Sequence, residues 1–438
     1  MGLANQSIAT TYANATATMT LYEKSSRMFW RWNGRIWQPL GGDDLTDDLA
    51  DWCDKNVQGA KAFTMSTYRD ISEQCRRKFR AAGRQVFSLD DVYVSFTDCL
   101  LNPDTMETVP HSPDMIATTH IEHPYSDLGN VQMPIFQKYL DDSCFDHEKN
   151  EVDTGMMAQL QEIAGYLLSP TIATKAFILY GDGGTGKSVF LEILRCLVSE
   201  DRCLADSIAD MTTKDFSLPS LIGKKANIQD EEKPGSLDVA KLKQIIDGKP
   251  MTTRKLYGDK FTFRPRIKLY FGSQEFPRMD GFDNAIRRRF LIITFDNIIP
   301  KEKKILYLDR KIIKAGELPA IVKWALDGLK RLVGNNFEFT ETPKSERSMS
   351  EFRAANSSVA QYIEDSWVSD PGIFTPFSFL YNAYSEWCSV NHRKPVSSIR
   401  FGREATGLIG QSKTRHGVRG YEVSRRVVSP LSQEQATF

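Results

Sequence analysis

No apolar run in this chain comes near the roughly 20 residues that a helix needs to cross a bilayer, so nothing in it reads as a membrane-spanning segment. A surplus of one charge is missing too. The 56 basic residues balance 56 acidic ones, so any nucleic-acid surface has to be local. The start, Met1-Gly2-Leu3-Ala4-Asn5-Gln6, lacks the charged-then-apolar pattern of a secretory signal, and Gln6 stands where a myristoylation motif needs Ser or Thr. The seven cysteines (53, 75, 99, 144, 196, 203 and 388) include no CxxC pair. That spacing argues against a zinc ribbon or a disulfide frame, and reads as buried thiols in a reducing, cytoplasmic setting. His120-x-x-His123 has a ligand-like spacing, but Pro124 and the want of partner residues favour a loop.

What is present is ordinary for a globular chain of 438 residues: 41% hydrophobic, 26% charged and 11% aromatic, enough for two or three domains. Residues 1–20, rich in Ala and Thr, are expected to be disordered. Residues 21–150 read as an α+β N-terminal region. Within it, Asn33-Gly34 is a hairpin turn between two aromatic runs. The acidic run Asp43–Asp54 carries Leu45, Leu49 and Trp52 at helical spacing, so it reads as an amphipathic helix. Residues 105–150 look loop-rich, punctuated by Pro110, Pro113, Pro124 and Pro134. From 177 to 296 strands and helices alternate, the pattern of a wound α/β core, and flanking helices extend that unit to 151–335. A linker is expected at 336–349, a small basic domain at 350–428 and a tail at 429–438.

The most informative segment is Phe177–Ser188, an apolar strand running into Gly181-x-x-x-x-Gly186-Lys187-Ser188, with Phe190, Ile193, Leu194 and Leu197 on one face of the following helix. This is the P-loop pattern. Glycines let backbone N–H groups wrap phosphates, the lysine reaches the β/γ-phosphates, and the hydroxyl can hold Mg²⁺. Gly181, Asp182, Gly183, Gly184, Thr185, Gly186, Lys187, Ser188 and Val189 are the expected nucleotide-binding set.

The residues that follow narrow the chemistry. Lys225–Glu232 is a short strand ending in three carboxylates. Phosphoryl transfer needs one acid to orient Mg²⁺ and another to align the attacking water. Asp230 suits the first role and Glu231 the second, with Glu232 as the alternative base. Thr252–Arg264 reads as a hairpin whose tip carries Arg254, Lys255, Tyr257 and Lys260, cations around a ring that suit phosphate contact and base stacking. Gln274 ends the apolar strand Ile267–Phe271, where an amide can sense the γ-phosphate or the water. Arg287-Arg288-Arg289 precedes another apolar strand, and an arginine offered to a neighbour's phosphate stabilises transferring charge.

In order and spacing these motifs resemble the superfamily 3 helicases of the phage and plasmid primase–helicase group, over roughly residues 90–428. The resemblance implies AAA+-type P-loop ATPase cores assembled as a hexameric ring, with ATP and Mg²⁺ between subunits. Lys187, Ser188, Asp230, Glu231 and Gln274 would act in cis. Arg289, or alternatively Arg288, would reach the neighbour's ATP. Lys255, Tyr257 and Lys260 would line a central channel and pull one DNA strand, with 3′ to 5′ travel implied by the family. Single-stranded and forked DNA are the implied partners, and a bacterial host cytoplasm the implied setting. Gln274 departs from the asparagine usual in that family. No primase signature stands out, so a separate primase or polymerase chain is the expected source of such activity.

Between Val390 and Arg426 nine Lys/Arg face only Glu404 and Glu422. Short helices followed by the hairpin pattern Gly417–Ser424 suggest a C-terminal winged-helix domain that contacts the phosphate backbone. Two other functional classes share the same ATP site: an AAA+ initiator or helicase loader that remodels origin DNA, and a monomeric P-loop kinase acting on a small molecule.

Overall fold

The apolar runs of the α/β region lie side by side because each is hydrophobic on both faces, which suits a parallel strand covered by helices above and below. The computed structural model describes residues 2–23, 28–40, 42–80, 91–198, 200–214, 217–232, 237–254, 260–279 and 282–426. Its central sheet is formed by β1 (Ala176–Tyr180), β2 (Cys203–Leu204), β3 (Ala226–Gln229), β4 (Lys268–Ser273) and β5 (Phe290–Thr294), in the order β2-β3-β4-β1-β5. All four pairings are parallel. The register sets Tyr180 beside Ser273 and Thr294, and Gln229 beside Phe271. The loops leaving β1, β3 and β4 therefore emerge along one edge. In open parallel sheets that edge is where ligands bind.

Side chains alternate across the sheet as the pleat requires. Phe177, Leu179, Tyr270, Leu291 and Ile293 pack on one face with Leu160, Ile163, Phe190, Leu194 and Ile321. Ala176, Ile178, Leu269, Phe271 and Ile292 pack on the other with Ile208, Leu242, Ile245, Met251 and Phe352. On the first face the helix Thr154–Leu168 crosses Leu318–Gly334 at two glycines. A Cβ at Gly165 would stand 2.3 Å from Ala325 O, and one at Gly328 would stand 2.4 Å from Gln161 O. Both obstacles are backbone and cannot swing away. Gly328→Val is therefore expected to lower the unfolding free energy by about 2–4 kcal/mol, measured by denaturant titration. An unchanged midpoint would mean that the helices do not cross this closely. The one charged residue of β4, Lys268, is buried; its Nζ donates to Tyr166 O and Ser169 O at the carboxyl end of Thr154–Leu168, a favourable place for a cation.

Three expectations are corrected here. Residues Gly2–Ala15, expected to be disordered, form a helix against Met65–Arg80, with Ala9 and Tyr12 fully buried. Small side chains look unable to drive folding, but they let a helix lie close to its neighbour, and tertiary packing supplies the stability that propensity does not. Arg31 Nη2 also donates to Tyr12 Oη at 2.8 Å. Within the loop-rich stretch, Pro134–Ser143 is a helix, its proline starting the first turn rather than breaking it. The expected linker 336–349 overlaps the helix Pro343–Asn356. Thr342 and Ser345 cap it reciprocally, and its Met349 and Phe352 join the second face of the sheet. The break between core and terminal region thus falls near Ser357.

Elsewhere the acidic run is the helix Gly42–Asn56 with Leu45, Leu49 and Cys53 inside, and Asn33-Gly34 turns between Met28–Trp32 and Trp37–Leu40. Beyond Ser357 the order is helix Ser358–Ser366, strand Trp367–Pro376, helices Phe377–Val390 and Ser398–Ile409, then strands Lys413–Arg415 and Val418–Arg425. They enclose a core of their own around Tyr362, Tyr384, Phe401 and Tyr421. The expected tail, 429–438, lies outside the described residues.

Candidate functional site

The carboxyl edge of the sheet opens into a cleft of about 1000 Å³ lined by the loop after β1, the acids after β3 and the residues after β4. Local geometry explains the glycines. Gly181, Gly184 and Gly186 have φ of 148°, 88° and 97°, which side chains rarely adopt. A Cβ at Gly181 would meet Phe295 O at 2.0 Å, and one at Gly186 would meet Ser143 Oγ at 2.7 Å. The loop hands over directly to the helix Lys187–Cys196. Lys187 is only 7% exposed, and its Nζ donates to Gly181 O and Asp182 O, each at 2.7 Å. Burial pulls its ammonium below the ordinary lysine value, against the pull of Asp230 and Asp182. Thr185 Oγ1 ties the loop to Asp182 O at 2.9 Å, and Ser188 is exposed at the cleft.

The three acids have separate environments. Asp230 is half-buried and Glu231 exposed, both lining the cleft. Glu232 also borders the cleft but is buried, and Ile208 N donates to its carboxylate at 3.0 Å. Burial pushes its carboxyl from an ordinary 4.5 up to about 7; the Ile208 N–H opposes this and Asp210 adds to it. Because the folded value lies above the unfolded one, the stabilisation is complete below about pH 4.5 and is lost as pH rises through 7. Between pH 5 and 8 the wild type should lose up to about 3 kcal/mol of unfolding free energy that Glu232→Gln keeps. Parallel pH–stability curves would contradict that assignment. Gly272 lets the chain after β3 pass over β4, since a Cβ there would lie 2.4 Å from Asp230 O. Gln274 is exposed beside the loop, its Nε2 3.9 Å from where a Gly183 Cβ would be. The structure thus gathers Lys187, Ser188, Asp230, Glu231 and Gln274 around one space.

Sequence reading missed two walls of this space. Tyr139 Oη donates to Gly186 O at 3.0 Å from the helix Pro134–Ser143. That helix is held by Glu317, which is buried and accepts from Ile135 N at 3.0 Å and Phe136 N at 2.9 Å. The other wall is 302–308. Ile299 N donates to Gly184 O at 3.1 Å, Lys304 Nζ lies 2.5 Å from the place of a Gly184 Cβ, and Leu306 and Tyr307 are exposed apolar surface. An exposed apolar pair beside a lysine is a signal the sequence carried, but only its packing against the loop gives it meaning.

The remaining predicted residues lie away from the cleft. The hairpin pairs Met251–Arg254 with Lys260–Phe263, burying Met251, Phe261 and Phe263 and leaving Arg254 and Lys260 exposed. Lys255 and Tyr257, at its tip, lie outside the described residues. Arg289, the first choice for a residue reaching a neighbour, is instead buried: its Nε and Nη2 each donate to Asp247 at 2.7 Å. Arg288 is exposed. Phe290 pairs with Ala176, so Arg288 sits at the amino edge of the sheet, about 16 Å along β1 from the loop. It cannot reach the cleft of its own chain. No group of three or more His, Cys, Asp or Glu able to hold a metal occurs among the described residues. None of their helices is long and apolar enough to cross a membrane.

Residues 8–145 match a family described as D5 N terminal like, and residues 179–289 match a family of unknown function, DUF5906. The first match takes in residues 8–90, which lie outside the span of the resemblance read from the sequence. A curated protein of Acanthamoeba polyphaga mimivirus, "Putative helicase L207/L206", is 26% identical over 186 residues, covering 41% of this chain and 19% of that protein. The chain therefore spans about a fifth of its length. Among solved structures, the apo structure of NrS-1 C terminal region (305-718) has 13% identity and a TM-score of 0.44 over 94% of this chain and 98% of that one. The A form apo structure of NrS-1 C terminal region-CTR has 13% identity and a TM-score of 0.42, over 92% and 96%. Superpositions this loose carry no argument about the site.

Proposed function

We propose that this chain is an ATP-driven DNA helicase of a phage, plasmid or mobile element, built as an AAA+-type ring motor of the superfamily 3 kind. The observation that carries the reading is the convergence of the glycine-rich loop, the acid pair Asp230 and Glu231, and Gln274 at one sheet edge, with β4 set between β1 and β3. Loop N–H groups and the amino end of Lys187–Cys196 receive the phosphates. Lys187 leaves Gly181 O and Asp182 O to meet the β/γ-phosphates, so its present bonds hold it poised in the loop. The exposed Ser188 hydroxyl and the Asp230 carboxylate fit a hard cation; Mg²⁺ held there would neutralise phosphate charge. Glu231 orients the attacking water, and Gln274 contacts the γ-phosphate or that water. Ile135, Val189, Leu306 and Tyr307 form the apolar side of the cleft and take the nucleobase. Arg288 serves the adjoining subunit of a hexamer, because its own cleft is out of reach. The hairpin 251–263 presents Arg254 and Lys260 to single-stranded DNA, and the terminal region acts as a winged-helix module.

The test is strand separation on a forked DNA duplex with ATP and Mg²⁺, wild type beside Lys187→Ala. Unwinding by the wild type alone is expected. DNA-stimulated ATPase without unwinding would replace this reading with an origin initiator or helicase loader. A monomer at all concentrations, with or without ATP and DNA, would remove the ring.

A further inference from the structure

Lys304 is an exposed cation that folds back onto the glycine-rich loop. Its Nζ lies 2.5 Å from the place of a Gly184 Cβ, and the residue lines the cleft. The chain around it fixes that position. Ile299 N donates to Gly184 O at 3.1 Å, and a tight turn follows, in which Lys303 N and Lys304 N donate to Pro300 O at 2.9 and 3.1 Å. One short segment thus grips Gly184 at its carbonyl and covers it at its α-carbon. A φ of 88° already favours glycine there, and the missing side chain is what lets the ammonium come so close.

Two other cations of the cleft are occupied. Lys187 Nζ donates to Gly181 O and Asp182 O, and Lys138 pairs with Asp142 at 3.1 Å. The Lys304 ammonium makes no hydrogen bond or ion pair with any described residue. Holding a lysine side chain in one arrangement costs entropy, and no protein acceptor offsets that here; an anion seated in the loop would. The helix Lys187–Cys196 starts at the same space, with free N–H groups at its amino end. Three residues beyond Lys304, Tyr307 has φ of 54°, and Leu306 and Tyr307 stay exposed beside the cleft. A single segment therefore carries a cation for phosphate and apolar surface for a base.

We infer that Lys304 is a second phosphate-binding cation of this cleft, one that selects nucleoside polyphosphates over compounds offering the base alone. The inference rests on the nucleotide reading of the cleft and deepens it. Lys187 meets the phosphates from within the loop and Lys304 meets them from the side of Gly184, so the polyphosphate is held between two ammonium groups. Charge-assisted contacts are the strong ones, and a flexible polyanion is ordered better by two than by one. Lys301, Lys303 and Lys304 look alike in sequence, but Lys301 does not line the cleft.

The experiment is displacement of a fluorescent ATP analogue from the full chain, with Mg²⁺ and without DNA, by ATP, by tripolyphosphate and by adenosine. Lys304→Ala is expected to weaken ATP and tripolyphosphate about tenfold and to leave adenosine unchanged. Its thermal melt should match the wild type, because the side chain is exposed and unpaired among the described residues. Lys304→Arg should keep most of the affinity. Lys301→Ala, the same loss of charge outside the cleft, should change none of the three. Unchanged ATP and tripolyphosphate binding by Lys304→Ala, an equal loss for adenosine, or the same loss in Lys301→Ala would overturn the inference. A wild type that does not bind the analogue would remove the nucleotide reading itself, so the two failures are told apart.

Discussion

Lys187→Ala is expected to lower the DNA-stimulated ATPase rate by about 10²–10³-fold or more while leaving the fold intact. The two halves of that expectation come from one geometry. The ammonium is buried where the loop folds around it, so it costs desolvation, and its acceptors among the described residues are loop carbonyls and Thr185 Oγ1. Removing it frees carbonyls at the edge of an open cleft, where water can replace it. The stability change should therefore stay within about 1 kcal/mol. The catalytic loss is large because no other cation among the described residues stands at that depth: Lys304 approaches the loop from outside, at Gly184. Steady-state ATPase with a thermal melt checks both. An active Lys187→Ala variant would end the mechanism; an inactive but unfolded one would not support it.

Arg288→Ala and Arg289→Ala should fail in opposite ways. Arg289 and Asp247 are a bidentate pair, each side chain 7% exposed. Burial alone would raise the Asp247 carboxyl, but Arg289 and Lys249 outweigh it and hold it below the ordinary range. Truncating the arginine leaves that buried carboxylate only the more exposed Lys249 as a partner, a loss of up to about 3–5 kcal/mol. Arg288 has no such partner among the described residues, and its truncation should leave the melt unchanged while cutting ATPase about 10³-fold. Mixing Arg288→Ala with Lys187→Ala subunits should restore part of the rate, since mixed interfaces include some with an intact lysine facing an intact arginine. Normal ATPase by Arg288→Ala, or no recovery on mixing, would remove the role between subunits.

The loop, the strand ending in acids and the following strand were legible because each is a local pattern: apolar run, glycines, charge. Which of two adjacent groups is exposed and which is buried was not. Glu231 and Glu232 are equivalent in sequence, as are Arg288 and Arg289; Ile208 N and Asp247, both distant in the chain, decide between them. Prolines misled twice. Pro134, read as loop punctuation, begins a helix, and so does Pro343 inside the expected linker 336–349, a distinction that depends on what caps the turn. The helix Gly2–Ala15 was hidden for another reason: its small residues announce no amphipathic face, and only the surface they approach makes them a core.

The clasp between Glu317 and the amides of Ile135 and Phe136 also provides a clock. Those two N–H groups can exchange with solvent only when the start of the helix Pro134–Ser143 lets go of the carboxylate, and the same helix carries Tyr139 against Gly186. Their deuterium uptake would therefore time the opening of the cleft wall, slowing when a ligand seats in the loop and quickening in a fragment that ends at residue 145 and so lacks Glu317. A cut there would divide one cooperative unit, although it falls between two stretches that match different families.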